Sequence, residues 1–183
     1  MIAIRRAVLS DAPGIALVHV ASWRAAYAGI IPEATLLNLS PLRLARNYLA
    51  AIRAGQLVHV AVASGREVGL APRSAPTVIG FATARQNDRG HDNTSLADGE
   101  IETLYVHDDF RERGFGRELL RAAAADLAGR GCASLLIWVL SDNPARWFYA
   151  HMGGRHALDG TVLVGGEWMA RSGFLWDRLD ALV

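Results

Sequence analysis

Apolar positions along the chain repeat with two different periods, and the change from one period to the other predicts a mixed α/β fold. Short runs of apolar and β-branched residues predict strands. We expect strands at residues 2–7, 57–63, 78–84, 100–107, 134–140, 155–158 and 167–176. Apolar residues that recur every three or four positions predict helices. We expect helices at residues 10–27, 34–54, 116–128 and 143–152, with Pro41 dividing the second region.

The polar segments 64–77 and 85–99 predict loops between the central strands. The resulting order is one strand, two helical regions, three strands, a helix, a strand, a helix and two strands. The run 134–140 is almost continuously apolar, which is typical of a strand buried on both faces. One sheet with helices packed against it is therefore the expected architecture.

The composition is that of one globular domain. The chain has 183 residues, of which 51% are hydrophobic and 20% charged, so we expect residues 1–183 to form a single domain. A net charge of +1 gives no indication of a nucleic-acid or membrane partner. The single cysteine, Cys132, excludes an internal disulfide and fits a reducing compartment. The sequence contains no long apolar run and no secretory signal at its start, so we expect a cytoplasmic protein.

The most informative motif joins the strand at 100–107 to the helix at 116–128 through a loop that contains two glycines. Gly114 and Gly116 allow backbone NH groups to turn toward an anion, and the helix that follows adds the positive end of its dipole. Arg111, Arg113 and Arg117 add cationic donors around the same loop. The pattern indicates a pyrophosphate-binding loop.

This loop resembles the acyl-CoA-binding motif of the GNAT acetyltransferase superfamily, Arg/Gln-x-x-Gly-x-Gly/Ala after a strand and before a helix. Arg111, Gly114 and Gly116 occupy its three fixed positions. The order of elements is also that of the GNAT fold, so the resemblance covers nearly the whole chain. It implies a mixed central sheet of about six or seven strands, a bulge that splays two of them, and about four flanking helices. The stretch 23–32 further resembles the opening of small bacterial members whose acceptors are poorly defined.

The resemblance implies acetyl-CoA as the co-substrate of an N-acetyltransferase that works by direct attack in a ternary complex. The pantetheine arm would pair with the strand backbone, and the pyrophosphate would bind the glycine loop. The resemblance assigns the cofactor contacts to Leu104, Tyr105, Val106, Arg111, Glu112, Arg113, Gly114, Phe115, Gly116, Arg117 and Asn143.

A second motif lies in the helix at 143–152 and resembles the family pattern Asn-x-x-Ala-x-x-Phe-Tyr-x-x-x-Gly-Phe. When the pattern is aligned on Tyr149, residues Ala145, Phe148 and Gly153 fall in place. Asn143 lies one position closer to the tyrosine than the pattern asks, and Gly154 replaces an aromatic residue. The resemblance makes Tyr149 the proton donor to the departing thiolate. Phenol chemistry suits this role, because a pKa near ~10 keeps the hydroxyl protonated at neutral pH.

The strand before the glycine loop carries two carboxylates. Glu100 and Glu102 have the same parity, so both side chains lie on one face of the sheet unless a bulge separates them. An alkyl amine is mostly protonated at neutral pH, and transfer therefore requires a base. We expect Glu102 to be the catalytic base, acting directly or through water, and Glu100 to lie on the substrate side; Glu100 itself or a chain of waters is the alternative base.

The acceptor is the least defined part of the expected site. Trp23 and Tyr27 share one face of the first helix and are either core aromatics or acceptor-binding residues. The resemblance places this helix on the acceptor side, so we take both as substrate-binding candidates. Small-molecule amines and peptide or protein amines both remain open as acceptors.

Other readings of the sequence are less well supported. A non-catalytic acyl-CoA-binding or sensor module is the alternative function. A dinucleotide-binding domain is disfavoured, because the chain has no Gly-x-Gly-x-x-Gly. The six histidines show no ligand spacing, so no metal is expected. Sheet edges and the apolar segment 174–183 are compatible with a homodimer.

Overall fold

A computed structural model describes residues 2–64, 76–87 and 96–182 of the chain. Over these residues the expected order of elements is confirmed. The seven strands of the described ranges are β1 (Ile2–Arg6), β2 (Leu57–Ala63), β3 (Thr77–Gln86), β4 (Gly99–Val106), β5 (Leu135–Leu140), β6 (Arg155–Val164) and β7 (Glu167–Trp176). Their five α-helices are α1 (Ala12–Ala26), α2 (Glu33–Leu37), α3 (Pro41–Arg53), α4 (Phe115–Gly129) and α5 (Arg146–His151).

The strands form one mixed sheet in the order β1-β2-β3-β4-β5-β7-β6. All neighbouring pairs are antiparallel except β4 and β5, which α4 connects as a parallel pair. Strand β7 lies between β5 and β6, because the chain passes β5 to form β6 and then returns through a hairpin. The mixed α/β fold expected from the sequence is confirmed.

The expected splayed pair is formed by β4 and β5. They pair only where Gly99, Glu100 and Ile101 face Leu135, Leu136 and Ile137, although both strands continue beyond these pairs. On its other edge β4 stays paired with β3, where the register shifts between Thr83 and Ala84 and leaves Glu102 without a partner residue. This bulge bends β4 at the point where it leaves β5.

Two apolar layers cover the faces of the sheet. On one face, α4 packs its apolar stripe against the strands, with Leu119, Leu120 and Leu127 fully buried. On the other face, α1 and α3 bury Ile15 and Phe81 in a second cluster. The central strands are thus buried between two close-packed layers, and β4 diverges from β5 within this sandwich.

Some element boundaries differ from the sequence prediction. Proline divides the second helical region as expected, and Ser40 caps α3 by accepting a hydrogen bond from the Arg43 amide at 3.3 Å. Strand β6 continues to Val164, well beyond the predicted end at Leu158, because it pairs with β7 as far as the turn at Gly165 and Gly166.

The last helix is shorter than predicted. It begins at Arg146, because the Asn143 side chain accepts a hydrogen bond from the Ala145 amide at 2.9 Å and holds residues 143–145 in a turn. The predicted loops 64–77 and 85–99 lie largely outside the described residues. None of the helices in the described ranges is long and apolar enough to cross a membrane.

Candidate active site

A cleft of about 1120 Å³ opens where β4 and β5 separate. Its walls come from β4, the glycine loop, the start of α4, β5, and the segment that contains α5. The end of α1 closes it from the other face of the sheet. The cleft brings together most of the candidate residues from the sequence: Tyr27, Glu102, Leu104, Tyr105, Val106, Arg111, Glu112, Gly114, Phe115, Gly116, Arg117, Asn143 and Tyr149.

The glycine loop curves around one end of the cleft. Glu112 and Gly114 both have positive φ angles, 61° and 86°, which turn the backbone back on itself. The amide of Glu118 donates to the Gly114 carbonyl at 3.1 Å. Among the described backbone hydrogen bonds, none is donated by residues 112–117, so these amides are available to an anion at the start of α4.

Arginines surround this loop in different arrangements. Arg111 pairs with Asp108 at 2.7 Å, and the Arg113 guanidinium lies 5.3 Å from the centre of the Phe110 ring. Arg111, Arg117 and Arg121 line the cleft, whereas Arg113 lies outside its lining. Arg121 lies one turn further along α4 than Arg117. The loop therefore combines free amides with three cationic side chains, which suits a pyrophosphate.

The three strand residues expected to face the pantetheine occupy the edge of β4 that β5 has left. Leu104 and Val106 pack toward the α4 layer. Tyr105 points to the opposite face, where its hydroxyl accepts a hydrogen bond from the Trp23 indole at 3.0 Å. Because β5 does not pair with this stretch of β4, its backbone NH and C=O groups face the cleft and can pair with an extended ligand.

Tyr149 lies in the interior of the cleft on α5. Its ring packs between Phe148 and Phe174, with centroid separations of 5.3 and 6.1 Å, and the residue is 7% exposed. Burial raises the pKa of Tyr149 above its ordinary value, and the nearby Tyr27 raises it further. The phenol is therefore a protonated donor throughout the neutral range.

Gly154 explains the departure from the aromatic position of the second motif. A Cβ atom at this residue would lie 2.7 Å from the Trp176 ring. The Trp176 indole donates to the Met152 carbonyl at 3.0 Å, and the Gly154 amide donates to the Tyr149 carbonyl at 3.0 Å. Trp176 thus fills the volume beside α5, and the end of the helix that carries Tyr149 rests on it.

The two glutamates of β4 lie on one face, as their parity predicts. Arg85 of β3 contacts both carboxylates, at 2.6 Å to Glu100 and 3.2 Å to Glu102. Glu102 lines the cleft and its side chain is 43% exposed, whereas Glu100 lies outside the lining at 17%. Burial raises the pKa of Glu102, Arg85 opposes this rise, and Glu100 adds to it.

The two aromatic candidates of α1 have different positions. Tyr27 lines the cleft and is buried, with its ring 5.1 Å from that of Trp23 in an edge-to-face contact. Trp23 lies behind the cleft wall and supports Tyr105 through the indole hydrogen bond. Of these two aromatic residues, Tyr27 therefore belongs to the cleft lining and Trp23 to the layer behind it.

The structure adds residues that the sequence analysis did not select. Thr103, Trp138 and His151 line the cleft, and Arg85 contacts both glutamates from outside it. The sequence pattern predicts only that Trp138 lies in a buried strand, and it gives no sign that its side chain faces the cleft. Within the described ranges, no group of three or more histidine, cysteine, aspartate or glutamate side chains has the arrangement of a metal site.

Comparisons with known proteins connect this cleft to a family. Residues 46–153 match the acetyltransferase (GNAT) family. The uncharacterized N-acetyltransferase YuaI of Bacillus subtilis (strain 168) is 29% identical over 185 aligned positions, which cover 100% of this chain and 96% of YuaI.

Solved structures share the fold over almost the whole chain. A GCN5-related N-acetyltransferase from Rhodopseudomonas palustris is 27% identical with a TM-score of 0.65, covering 94% of this chain and 93% of that one. YncA from Salmonella typhimurium, solved with its cofactor acetyl-CoA, is 18% identical with a TM-score of 0.67, covering 98% of this chain and 95% of YncA. The family match spans the glycine loop and Tyr149 and takes in more than half of the chain. As its two motifs indicate, the protein belongs to the acetyltransferase (GNAT) family and is an N-acetyltransferase.

Proposed function

We propose that the protein transfers an acetyl group from acetyl-CoA to a primary amine by direct attack in a ternary complex. The observation that carries this proposal is the cleft at the β4–β5 divergence. It joins an anion-binding loop, an unpaired strand edge, a protonated phenol and a carboxylate in one opening. YuaI is named an N-acetyltransferase, and the YncA structure contains acetyl-CoA, which supports the same donor here.

The residues present fit acetyl-CoA. The free amides of residues 112–117, with Arg111, Arg117 and Arg121, would hold the pyrophosphate, and the open edge at residues 104–106 would pair with the pantetheine amides. The Phe148 ring lies 3.5 Å from the Cβ position of Gly116, so the start of α4 and the α5 segment come into contact at this end of the cleft. Acetyl-CoA supplies an acyl thioester, an activated carbonyl group that an amine can attack.

Glu102 is the proposed base. An acceptor amine enters the cleft mainly as an ammonium ion and must lose a proton before it can attack. The carboxylate of Glu102 lies in the cleft wall, and burial raises its pKa, which brings its basicity closer to that of the amine. Direct acceptance of the proton and transfer through water are both compatible with a half-exposed carboxylate.

Tyr149 is the proposed acid. Its hydroxyl is protonated at neutral pH, because burial and the neighbouring Tyr27 raise its pKa. Proton donation to the departing thiolate prevents that sulfur from attacking the new amide. Asn143 fixes the turn before α5 and lines the same part of the cleft, so it positions the helix that carries the acid.

The proposal also covers the class of acceptor amine, the cellular compartment and the oligomeric state. Small-molecule amines and peptide amines are both acceptor candidates for a cleft of this size lined by Tyr27 and Glu102. The lone, buried Cys132 fits a reducing cytoplasm. Strands β1 and β6 are the two edges of the described sheet, and either edge is compatible with a homodimer.

Two measurements test the function. Calorimetric titration with acetyl-CoA measures donor binding, and thiol release across a panel of small amines and short peptides measures turnover. We expect Tyr149→Phe and Glu102→Gln each to lower kcat by about 10²- to 10⁴-fold, the usual contribution of a positioned acid or base. The acetyl-CoA affinity should change little.

The matched control is Asp177→Asn, an exposed carboxylate at the end of β7 that pairs with Arg155 outside the cleft. We expect it to keep the wild-type rate. Wild-type rates in both active-site variants would refute the assigned roles. Tight acetyl-CoA binding without turnover of any amine would instead favour a non-catalytic acyl-CoA sensor.

A further inference from the structure

Arg85 forms a bridge between the two glutamates of β4. It lies near the end of β3, directly opposite Glu100 in the antiparallel register. The Arg85 Nη2 donates to Glu100 Oε2 at 2.6 Å, and Arg85 Nε lies 3.2 Å from Glu102 Oε1. A single planar cation therefore contacts a carboxylate behind the cleft with one nitrogen and the cleft carboxylate with another.

The bulge in β4 makes this contact important for the position of Glu102. Thr83 pairs with Thr103, and Ala84 pairs with Ile101, so the sheet register provides no partner for Glu102. The hydroxyls of Thr83 and Thr103 lie 2.7 Å apart and fix the strands on the far side of the bulge. The backbone at Glu102 is thus bent, and its side-chain contacts determine the direction of its carboxylate.

Arg85 also determines the charge around Glu102. Glu100 of β4 faces the same guanidinium. On the helical side, burial raises the pKa of the Tyr48 phenol of α3, and the nearby Glu102 charge raises it further. That phenol lies 2.6 Å from His19 Nδ1 of α1. Burial lowers the pKa of His19 to about 4, so this imidazole is neutral near pH 7. Of the groups that the described residues place around Glu102, Arg85 is the one that carries a positive charge.

We propose that Arg85 is a positioning residue for the transfer reaction: anchored on Glu100, it holds the Glu102 carboxylate at the cleft in its charged, proton-accepting form. This inference rests on the proposed function, in which Glu102 is the base. Arg85 does not line the cleft, so it acts through Glu102. Its role differs from that of Arg111, Arg117 and Arg121, which line the cleft themselves.

The charges predict opposite effects for two substitutions. Removing Arg85 leaves two carboxylates facing each other without a cation, so the pKa of Glu102 rises. Removing the charge of Glu100 with Arg85 in place takes away the repulsion, so the pKa of Glu102 falls. A base works only when it is deprotonated, and the acid limb of the kcat/KM profile therefore moves up in the first variant and down in the second.

The test compares pH profiles of kcat/KM for one amine in the wild type, Arg85→Met, Arg85→Lys and Glu100→Gln. The ionisation of the amine contributes equally to every profile, so differences report the enzyme. For Arg85→Met we expect the acid limb of the profile to move to higher pH, so that the loss in kcat/KM is greatest at low pH and disappears on the high-pH plateau; a shift of one pH unit appears as about a tenfold loss on the acid limb itself. Arg85→Lys should recover part of this loss, because an ammonium group keeps the charge but lacks the planar fork.

Two further measurements distinguish a positioning role of Arg85 from a general effect of its substitution on folding. The KM for acetyl-CoA should stay at the wild-type value in Arg85→Met. The difference between the profiles should shrink in high salt, because Arg85 is 54% exposed and solvent ions screen its charge. The control is Arg155→Met, which removes another exposed arginine from an ion pair with Asp177 and should leave the profile unchanged.

The outcomes distinguish this inference from the proposed function. If Glu102→Gln is severely impaired but the Arg85→Met profile superimposes on the wild type, the inference is wrong and the proposed function stands. If Glu102→Gln turns over at the wild-type rate, the base assignment and the inference both fail. If Arg85→Met does not fold, Arg85→Gln takes its place, because it removes the charge but keeps a polar side chain, and an Arg85→Gln profile that superimposes on the wild type overturns the inference.

Discussion

A double-mutant cycle at Gly154 and Trp176 tests how the helix that carries Tyr149 is held in place. Gly154 is buried directly after α5, and a Cβ atom there would lie 2.7 Å from one Trp176 ring atom and 2.8 Å from the next. Trp176 is 3% exposed and donates its indole NH to the Met152 carbonyl at 3.0 Å. We perturb the pair with Gly154→Ala, Trp176→Phe and the combination of both.

The structure sets the expected magnitudes. Gly154→Ala overpacks a filled site and should lower the free energy of unfolding by ~2 kcal/mol. Trp176→Phe loses the hydrogen bond to Met152, which costs about 1 kcal/mol. It also leaves a cavity of roughly 40 Å³, which at about 24 cal/mol per Å³ costs about 1 kcal/mol more. Independent effects would therefore sum to ~4 kcal/mol in the double variant.

The two sites are not independent, because the phenylalanine lacks the far ring atoms that the new methyl group would meet. In the double variant the methyl group fills part of the cavity, although the Tyr149 carbonyl remains 3.0 Å from it. We expect a total loss of about 2–3 kcal/mol, which corresponds to a coupling energy of about 1–2 kcal/mol.

Urea unfolding followed by far-UV circular dichroism measures the four free energies without depending on tryptophan fluorescence. Activity gives a second readout, because the Gly154 amide donates to the Tyr149 carbonyl. The kcat lost in Gly154→Ala should be partly restored in the double variant. A double variant whose stability loss equals the sum of the single losses within about 0.5 kcal/mol would refute the packing argument.

Two other substitutions test the loop and the buried histidine. Gly114→Ala should weaken acetyl-CoA binding in calorimetry, because a φ of 86° costs an alanine about 1–2 kcal/mol. The control Gly129→Ala lies at the other end of α4 with open space around its Cβ and should bind acetyl-CoA as the wild type does. Equal affinities of the two variants for acetyl-CoA would contradict the loop assignment. Burial lowers the pKa of His19 from 6.5 to about 4, so its contribution to stability is complete above about pH 6.5 and is lost as pH falls toward 4. That contribution is ~3 kcal/mol, and His19→Gln should flatten this part of the stability profile in urea unfolding; an unchanged slope would contradict it.

The sequence by itself determined the features that depend on neighbouring residues. The loop from Arg111 to Gly116 and the amphipathic stripe of α4 are local patterns, because a tight turn, a free helix start and one apolar face each need only a few consecutive side chains. The motif around Tyr149 is similarly local. The order of the elements, together with these motifs, was sufficient to predict the fold.

Tertiary structure decided which residues from distant parts of the chain meet. Trp23 and Tyr105 are 82 positions apart and share a hydrogen bond, which moves Trp23 from the expected substrate side into the layer behind the cleft. The length of β6 was underestimated, because pairing with β7 maintains the strand past Gly160, where the sequence pattern is weak. Gly154 departs from the family motif in the sequence, and only the packed structure shows Trp176 occupying that space.

The two carboxylates of β4 show most clearly which features the sequence determines and which the tertiary structure decides. Their alternation was enough to place Glu100 and Glu102 on one face of a strand, since side chains of equal parity point the same way. The cation between them depended on the register of β3 against β4, and the bulge between Thr83 and Ala84 sets that register. Register arises from the packing of whole strands against α1, α3 and α4, so no local pattern around Arg85 predicts its contact with the proposed base.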